Sequence, residues 1–118
     1  MEFNKITGII GEKLACKYLS EQKINIIKTN FRNKIGEIDI IAKEGETLLF
    51  IEVKTRGSAK FGLPREAINY KKINKIKNTA ISYLKYNKLI DKTSVRFDCV
   101  EIIGDVNDYQ INYLKNIF

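Results

Sequence analysis

The segment from Gly36 to Lys54, GEIDIIAKEGETLLFIEVK, decides the fold because it holds two β-rich runs around a short polar connection. The runs cover residues 36–42 and 48–54, and Gly45 lies near the middle of the connection. A glycine at the first central position of a two-residue loop is typical of a type II′ hairpin turn. We therefore predict an antiparallel hairpin with its turn centred between Gly45 and Glu46.

This turn fixes the pairing of the two strands and brings two carboxylates together. Asp39 then lies opposite Glu52, and Glu37 lies opposite Lys54. The other face of the hairpin is apolar and consists of the pairs Ile38–Val53, Ile40–Ile51 and Ala42–Leu49. Like charges directly opposed on a sheet destabilise it. Either one of the two carboxylates is protonated, or a cation lies between them.

The kind of cation follows from the residues that the chain lacks. It has no histidine and only two cysteines, which excludes Ser-His-Asp and Cys-His catalysis and an ordinary zinc site. Two carboxylates favour Mg²⁺ or Mn²⁺, and the Lys54 ammonium on the same face suits a phosphate that gains charge in a transition state. The alternative is that Asp39 and Glu52 only form salt bridges with Lys54 and another base.

The segments around the hairpin predict an α/β domain spanning residues 1–118, with a mixed sheet flanked by helices. Hydrophobic spacing predicts helices over about 5–21 and from Pro64 to about 86, and strands over 24–31, 95–103 and 109–114. The element order is α-β-β-β-α-β-β. Glu12 borders the buried face of the first helix.

The charge of the chain is uneven as well as positive. The net charge is +7, but residues 53–96 hold twelve Lys and Arg against two acids, which gives +10 there and −3 elsewhere. A basic stretch beside an acidic remainder suits a polyanion-binding face, or it is only a solvated basic surface. The candidate phosphate contacts are Arg32, Arg56, Lys71, Lys72 and Lys75.

Composition also gives an expectation for the location of the protein. No apolar run approaches the length of a membrane helix, and the first residues have no signal-peptide pattern. Cys16 and Cys99 cannot form a disulfide framework and are most simply buried apolar residues. We expect a cytoplasmic protein that does not bind a membrane.

Two further acids have structural explanations. Glu37 is expected to form a cross-strand ion pair with Lys54 rather than to act at the site. Asp98 alternates with Phe97 and Cys99 on the predicted strand 95–103 and is expected to be a buried, hydrogen-bonded acid rather than another metal ligand.

Several motifs resemble those of known proteins. Asp39 followed by Glu52-x-Lys54 resembles the PD-(D/E)xK core of restriction-endonuclease-like nucleases, with Ile38 at the position that proline has in the motif's name. Nearly the whole chain resembles the YraN family, an uncharacterised bacterial family related in outline to archaeal Holliday-junction resolvases. The strings that carry this resemblance are GE at 11–12, GEID at 36–39, FIEVKTR at 50–56, FG at 61–62 and VRFD at 95–98.

The resemblance implies roles for individual residues. Asp39 and Glu52 would hold a divalent metal, and Lys54 would orient or activate the attacking water. Glu12 matches a first-helix glutamate that completes the metal site in related resolvases; the alternative is an exposed acid at the helix border.

The first hypothesis for function is a Mg²⁺- or Mn²⁺-dependent endonuclease that hydrolyses structured or branched DNA. Related resolvases act as symmetric dimers, so a homodimer is a further expectation. The alternative is a non-catalytic nucleic-acid-binding protein of the same fold, acting in DNA repair, recombination or uptake. A pure interaction domain leaves the Asp39–Glu52 juxtaposition unexplained.

Overall fold

The computed structural model describes residues 5–57 and 70–118. Within them the order is α-β-β-β-α-β-β, as predicted. The elements are α1 (Gly8–Glu21), β1 (Asn25–Arg32), β2 (Glu37–Glu44), β3 (Thr47–Arg56), α2 (Tyr70–Tyr86), β4 (Ser94–Asp105) and β5 (Asp108–Leu114). The predicted helix start at Pro64 and the FG string at 61–62 lie outside the described residues.

The five strands form one mixed sheet in the order β1-β2-β3-β4-β5. Neighbouring strands are antiparallel except β3 and β4, which are parallel and have α2 in the connection between them. This arrangement confirms the predicted α/β class. Two parallel strands need a crossover connection, which is usually a helix, and α2 has that place here. Among the described residues, no helix is long and apolar enough to cross a membrane.

Each helix covers a different apolar cluster of the sheet. The α1 cluster contains Ala15 and Leu19 of the helix with Ile40, Leu49 and Ile51 of the hairpin. The α2 cluster contains Ala80 and Leu84 with Ile38, Ile41 and Phe50. The middle of the β2–β3 hairpin is therefore buried on both faces, and its polar residues lie at its two ends, at the turn and where the strands separate.

The predicted register of this hairpin is confirmed. The paired residues run from Ile40–Ile51 to Glu44–Thr47, which leaves Gly45 and Glu46 as a two-residue loop. Gly45 has φ +59°, the positive value that the first central position of a type II′ turn needs.

The predicted pairing ends at Asp39. The ladder stops at Ile40–Ile51, so the predicted pairs Asp39–Glu52 and Glu37–Lys54 are not part of it. Ile38 packs in the α2 cluster instead of pairing with Val53, so that part of the prediction is also wrong. Asn30, opposite Asp39 on β1, has φ +54°, a left-handed conformation that Asn tolerates better than most residues. We attribute the change of face between Ile40 and Ile38 to this local turn of the backbone.

Helix α1 lies very close to the sheet at Gly11. A Cβ atom at this position would approach Cγ2 of Thr55 to 2.6 Å, so only glycine allows this contact without a shift. The close approach brings the first turns of α1, including Glu12, to the end of β3 that carries Lys54.

Candidate active site

A cavity of about 570 Å³ lies where the open end of the hairpin, opposite its turn, meets α2. Its size is within the range of roughly 300–1,000 Å³ found for ligand pockets. It is lined by Arg32, Asn33, Gly36, Glu37, Asp39, Glu52, Lys71, Lys72, Lys75 and Ile76. The structure thus brings together both predicted carboxylates and four of the five predicted phosphate contacts.

Asp39 lies half-buried at the point where the hairpin ladder ends. Its Oδ2 accepts a hydrogen bond of 2.8 Å from the backbone N–H of Val53. Burial, and next the charge of Glu52, raise the pKa of Asp39 to about 7, although the Val53 hydrogen bond acts in the opposite direction. The charge of Glu52 therefore disfavours the ionised form of Asp39, although burial has the larger effect.

Glu52 is held by two lysines from different elements. Its Oε2 lies 2.9 Å from Nζ of Lys72 and 3.5 Å from Nζ of Lys54. The Glu52 side chain is only 13% exposed, so its carboxylate is mostly shielded from water. For Glu52, these contacts match the alternative of salt bridges with Lys54 and another base, and that base is Lys72 of α2.

Lys54 is in an unusual environment for a lysine. Burial lowers its pKa, and a hydrogen bond with Lys72 lowers it further, whereas the Glu52 charge opposes both effects. A lysine that releases its proton more readily is suited to proton transfer at the site. This is the property that a residue orienting or activating water would need.

Glu12 lies near the carboxylate pair without joining it. Its Oε1 accepts a hydrogen bond of 2.8 Å from Nδ2 of Asn30, and its charge contributes the smallest of the named effects on the Asp39 pKa. Within residues 5–57 and 70–118, no group of three or more His, Cys, Asp or Glu residues could hold a metal ion. The role of Glu12 as a third ligand stays a prediction.

The residues of the site nevertheless fit a magnesium-like ion. Mg²⁺ is usually bound through one or two carboxylates, with water and substrate phosphate completing its shell. Asp39 and Glu52 supply two such carboxylates in an open cavity, and burial, followed by the charge of Glu52, raises the pKa of Asp39. A divalent ion would supply positive charge to the pair.

The structure places two predicted residues, Glu37 and Arg56, differently from the expectation. Glu37 forms its ion pair with Arg32, at 3.0 Å, so the expected pair with Lys54 is wrong. The cause is the end of the β2–β3 ladder, since Glu37 pairs with Arg32 on β1 instead. Arg56 does not line the cavity; its side chain lies against the buried Glu101, with Nε 3.9 Å from Oε2.

The interpretation of Asp98 is supported. This buried carboxylate accepts hydrogen bonds from the Arg96 guanidinium, the Tyr113 hydroxyl and the backbone N–H of Asn116. These contacts join β4 to β5 and the residues after it, so Asp98 has a structural part in the sheet.

Sequence reasoning missed two polar residues close to the site. Glu101 is only 2% exposed and pairs in register with Lys54; an acid between Val100 and Ile102 on an apolar strand was the available signal. Nothing in the sequence indicated that Asn30 contacts Glu12, because Asn30 lies within a β-rich run that gives no sign of its left-handed conformation.

The cysteines behave as predicted for buried thiols. Cys99 is buried beside Glu52 in the register of β3 and β4, and burial, followed by the Glu52 charge, raises its pKa to about 12. Cys16 is partly buried, and burial and Glu12 raise its pKa as well. Both residues are free thiols, and neither is poised as a nucleophile.

Comparison with known proteins places the chain in a family. A UPF0102 protein of Caldicellulosiruptor bescii is 48% identical over 116 residues, covering 97% of this chain and 98% of the relative. One of Alkaliphilus oremlandii is 44% identical over 116 residues, covering 98% and 99%. The model of the uncharacterised protein family UPF0102 matches residues 11–102. The chain therefore belongs to the UPF0102 family, the YraN family that its motifs resemble.

Proposed function

We propose that this protein is a divalent-cation-dependent endonuclease that hydrolyses phosphodiester bonds in structured or branched DNA in the cytoplasm. The observation that carries the proposal is the cavity lined by Asp39, Glu52 and the lysines of α2. Lys54 does not line it, but its ammonium lies 3.5 Å from Glu52. Carboxylates hold a metal, and basic residues attract phosphate. A phosphodiester substrate explains why both occur in one cavity.

The basic residues bind and orient the nucleic acid. Lys71 and Lys75 on α2 face the carboxylates across the cavity, with Arg32 at its edge beside Glu37. Contacts of this kind bind phosphate without reading base sequence. The site is therefore suited to recognising the shape of a backbone rather than a particular sequence.

The hydrolytic step needs a positioned water and a stabilised phosphate. Asp39 and Glu52 would hold Mg²⁺ or Mn²⁺, which supplies positive charge to the phosphate and lowers the pKa of water. Lys54 would orient the attacking water through its ammonium or, in its neutral form, accept a proton from it, and the lowered pKa of Lys54 favours the neutral form. Val53 fixes one oxygen of Asp39 through its backbone N–H, so that carboxylate is oriented before the substrate arrives.

The alternative is a nucleic-acid-binding protein that does not cleave. The position of Glu12 favours it, because only two of the three proposed metal ligands, Asp39 and Glu52, line the cavity of the described structure. Binding alone needs only the basic residues. It gives no role to the two carboxylates, Asp39 and Glu52, that line the same cavity.

The experiment that tests the proposal is a cleavage assay on a panel of four-way junctions, flaps, single strands and linear duplexes. We expect the purified protein to cut at least one structured substrate with Mg²⁺ or Mn²⁺ and none with EDTA. Glu52→Gln should abolish cutting. It keeps the size of the side chain and removes the charge that holds the cation.

The control is Glu46→Gln, which removes an acid from the hairpin turn at the opposite end of the strands. It should cut like the wild type. If no substrate in the panel is cut while binding is normal, the non-catalytic alternative replaces the nuclease.

A further inference from the structure

Lys72 differs from the other lysines that line the cavity because it makes a direct contact with a carboxylate of the site. Its Nζ lies 2.9 Å from Oε2 of Glu52, closer than Nζ of Lys54 at 3.5 Å. Neither Lys71 nor Lys75 forms an ion pair within the described part of the chain. The sequence groups the three as phosphate contacts, whereas the structure separates Lys72 from its neighbours.

The contact is strong enough to matter for the site. Hydrogen bonds between charged groups are shorter and roughly twice as strong as neutral ones, and the 2.9 Å distance is near their usual range. Glu52 is mostly shielded from water, whereas the Lys72 side chain is 38% exposed. Lys72 therefore neutralises Glu52 in a position from which its own ammonium can still reach solvent.

A divalent cation bound to Glu52 would compete with this contact. Two positive groups on one carboxylate oxygen repel each other, so the ammonium and the metal cannot both be held there without a cost. Lysine has a flexible four-carbon stem with a point charge, and the cavity beside it measures about 570 Å³. The lysine can thus leave the carboxylate without the helix having to move.

We propose that Lys72 is the counter-ion of Glu52 in the metal-free protein, and that it exchanges this carboxylate for a nucleic-acid phosphate when a divalent cation binds. The inference rests on the proposed function, because it needs the cation site at Asp39 and Glu52. It adds that metal binding and nucleic-acid binding strengthen each other. By thermodynamic linkage, the bound metal and the bound nucleic acid raise each other's affinity for the protein by the same factor.

The test is a calorimetric titration of Mn²⁺ into the metal-free protein at pH 7.5. Lys72→Met keeps the apolar stem and removes the competing charge, so it should bind Mn²⁺ about tenfold more tightly than the wild type. Lys75→Met, on the same cavity wall, is the matched control and should change the affinity by less than about twofold. Unchanged or weaker Mn²⁺ binding by Lys72→Met would overturn the exchange.

A second measurement, which also uses Lys72→Arg, keeps the inference testable if Lys72→Met folds poorly. The affinity of the wild type for an uncut 20-base-pair duplex at 4 °C, followed by fluorescence anisotropy, should rise when Mn²⁺ is added. Lys72→Arg, which keeps the charge, should retain this rise, and Lys72→Met should lose most of it. If the wild type binds no Mn²⁺, the proposed function fails. If it binds Mn²⁺ with no gain in duplex affinity, only the exchange fails.

Discussion

Asp39 is the residue whose chemistry depends most on its surroundings. Its carboxylate is partly buried beside another acid, so the folded protein favours the protonated form up to a pH of about 7. The unfolded chain releases that proton near the ordinary pKa of 3.8. The folded state thus binds more protons between these values, and the stability linked to Asp39 falls as the pH rises from about 4 to 7.

Asp39→Asn should remove this pH dependence. The amide carries no charge and can still accept the hydrogen bond from Val53, so the variant should be more stable than the metal-free wild type at pH 8. The advantage should grow by on the order of 2 kcal/mol between pH 5 and pH 8. Urea unfolding in EDTA measures the free energy of unfolding at each pH.

Asp91→Asn is the control, because Asp91 is an exposed acid in the turn after α2. Its effect on stability should be small at both pH values. Parallel pH profiles for the wild type and Asp39→Asn would show that Asp39 ionises normally, which would remove the evidence for repulsion in the carboxylate pair.

Substitution of Lys54 should distinguish an effect on the cleavage step from an effect on nucleic-acid binding. Lys54→Met should reduce cleavage by at least about a hundredfold, the usual lower effect of removing a general acid or base. Affinity for the uncut substrate should change by less than about threefold, because the proposed partner of Lys54 is the charge that develops during the reaction. Single-turnover kinetics and anisotropy measure the two quantities. An equal loss of both would make Lys54 a phosphate contact.

At the scale of elements, the hairpin and α2 together build the site. A single glycine fixes the register: Gly45 defines the two-residue turn, and the turn sets the pairs from Glu44–Thr47 to Ile40–Ile51. This much is predictable because turn geometry is local. The left-handed conformation of Asn30 is not predictable in this way, because it depends on how β1 packs against β2 and α1. Ile38 and Glu37, which lie beside it on β2, therefore depart from the predicted pairing.

Helix α2 contributes positive charge to the cavity, and its lysines should determine the salt dependence of binding. Lys71→Met with Lys75→Met should lower the slope of log affinity against log salt by about two, since each phosphate contact on duplex DNA contributes about 0.9. The double variant should weaken binding to all sequences alike.

The matched control is Lys77→Met with Lys85→Met, which removes the same charge from the same helix at positions that do not line this cavity. Its slope should fall by much less than that of the first pair. Equal slopes for the two pairs would mean that α2 binds nucleic acid only through its overall charge.

At the scale of the molecule, the sheet joins two apolar clusters and leaves the site at the end of the hairpin where the strands separate. The element order, the hairpin and the Asp39–Glu52–Lys54 grouping could be predicted from periodicity and turn chemistry. The ion pair of Lys72 with Glu52 could not, because it depends on where α2 packs against β3 after a crossover.

Thermal unfolding with and without Mn²⁺ tests the central claim, that Asp39 and Glu52 form a divalent-cation site. A ligand that binds only the folded state at ten times its Kd adds about 1.4 kcal/mol, which raises the Tm of a domain of this size by about 5 °C. We expect this rise for the wild type and little or none for Asp39→Asn, with the exposed-acid variant Asp91→Asn behaving like the wild type. Equal shifts for the wild type and Asp39→Asn, or no shift at millimolar Mn²⁺, would contradict the account and leave a salt-bridged carboxylate pair in its place.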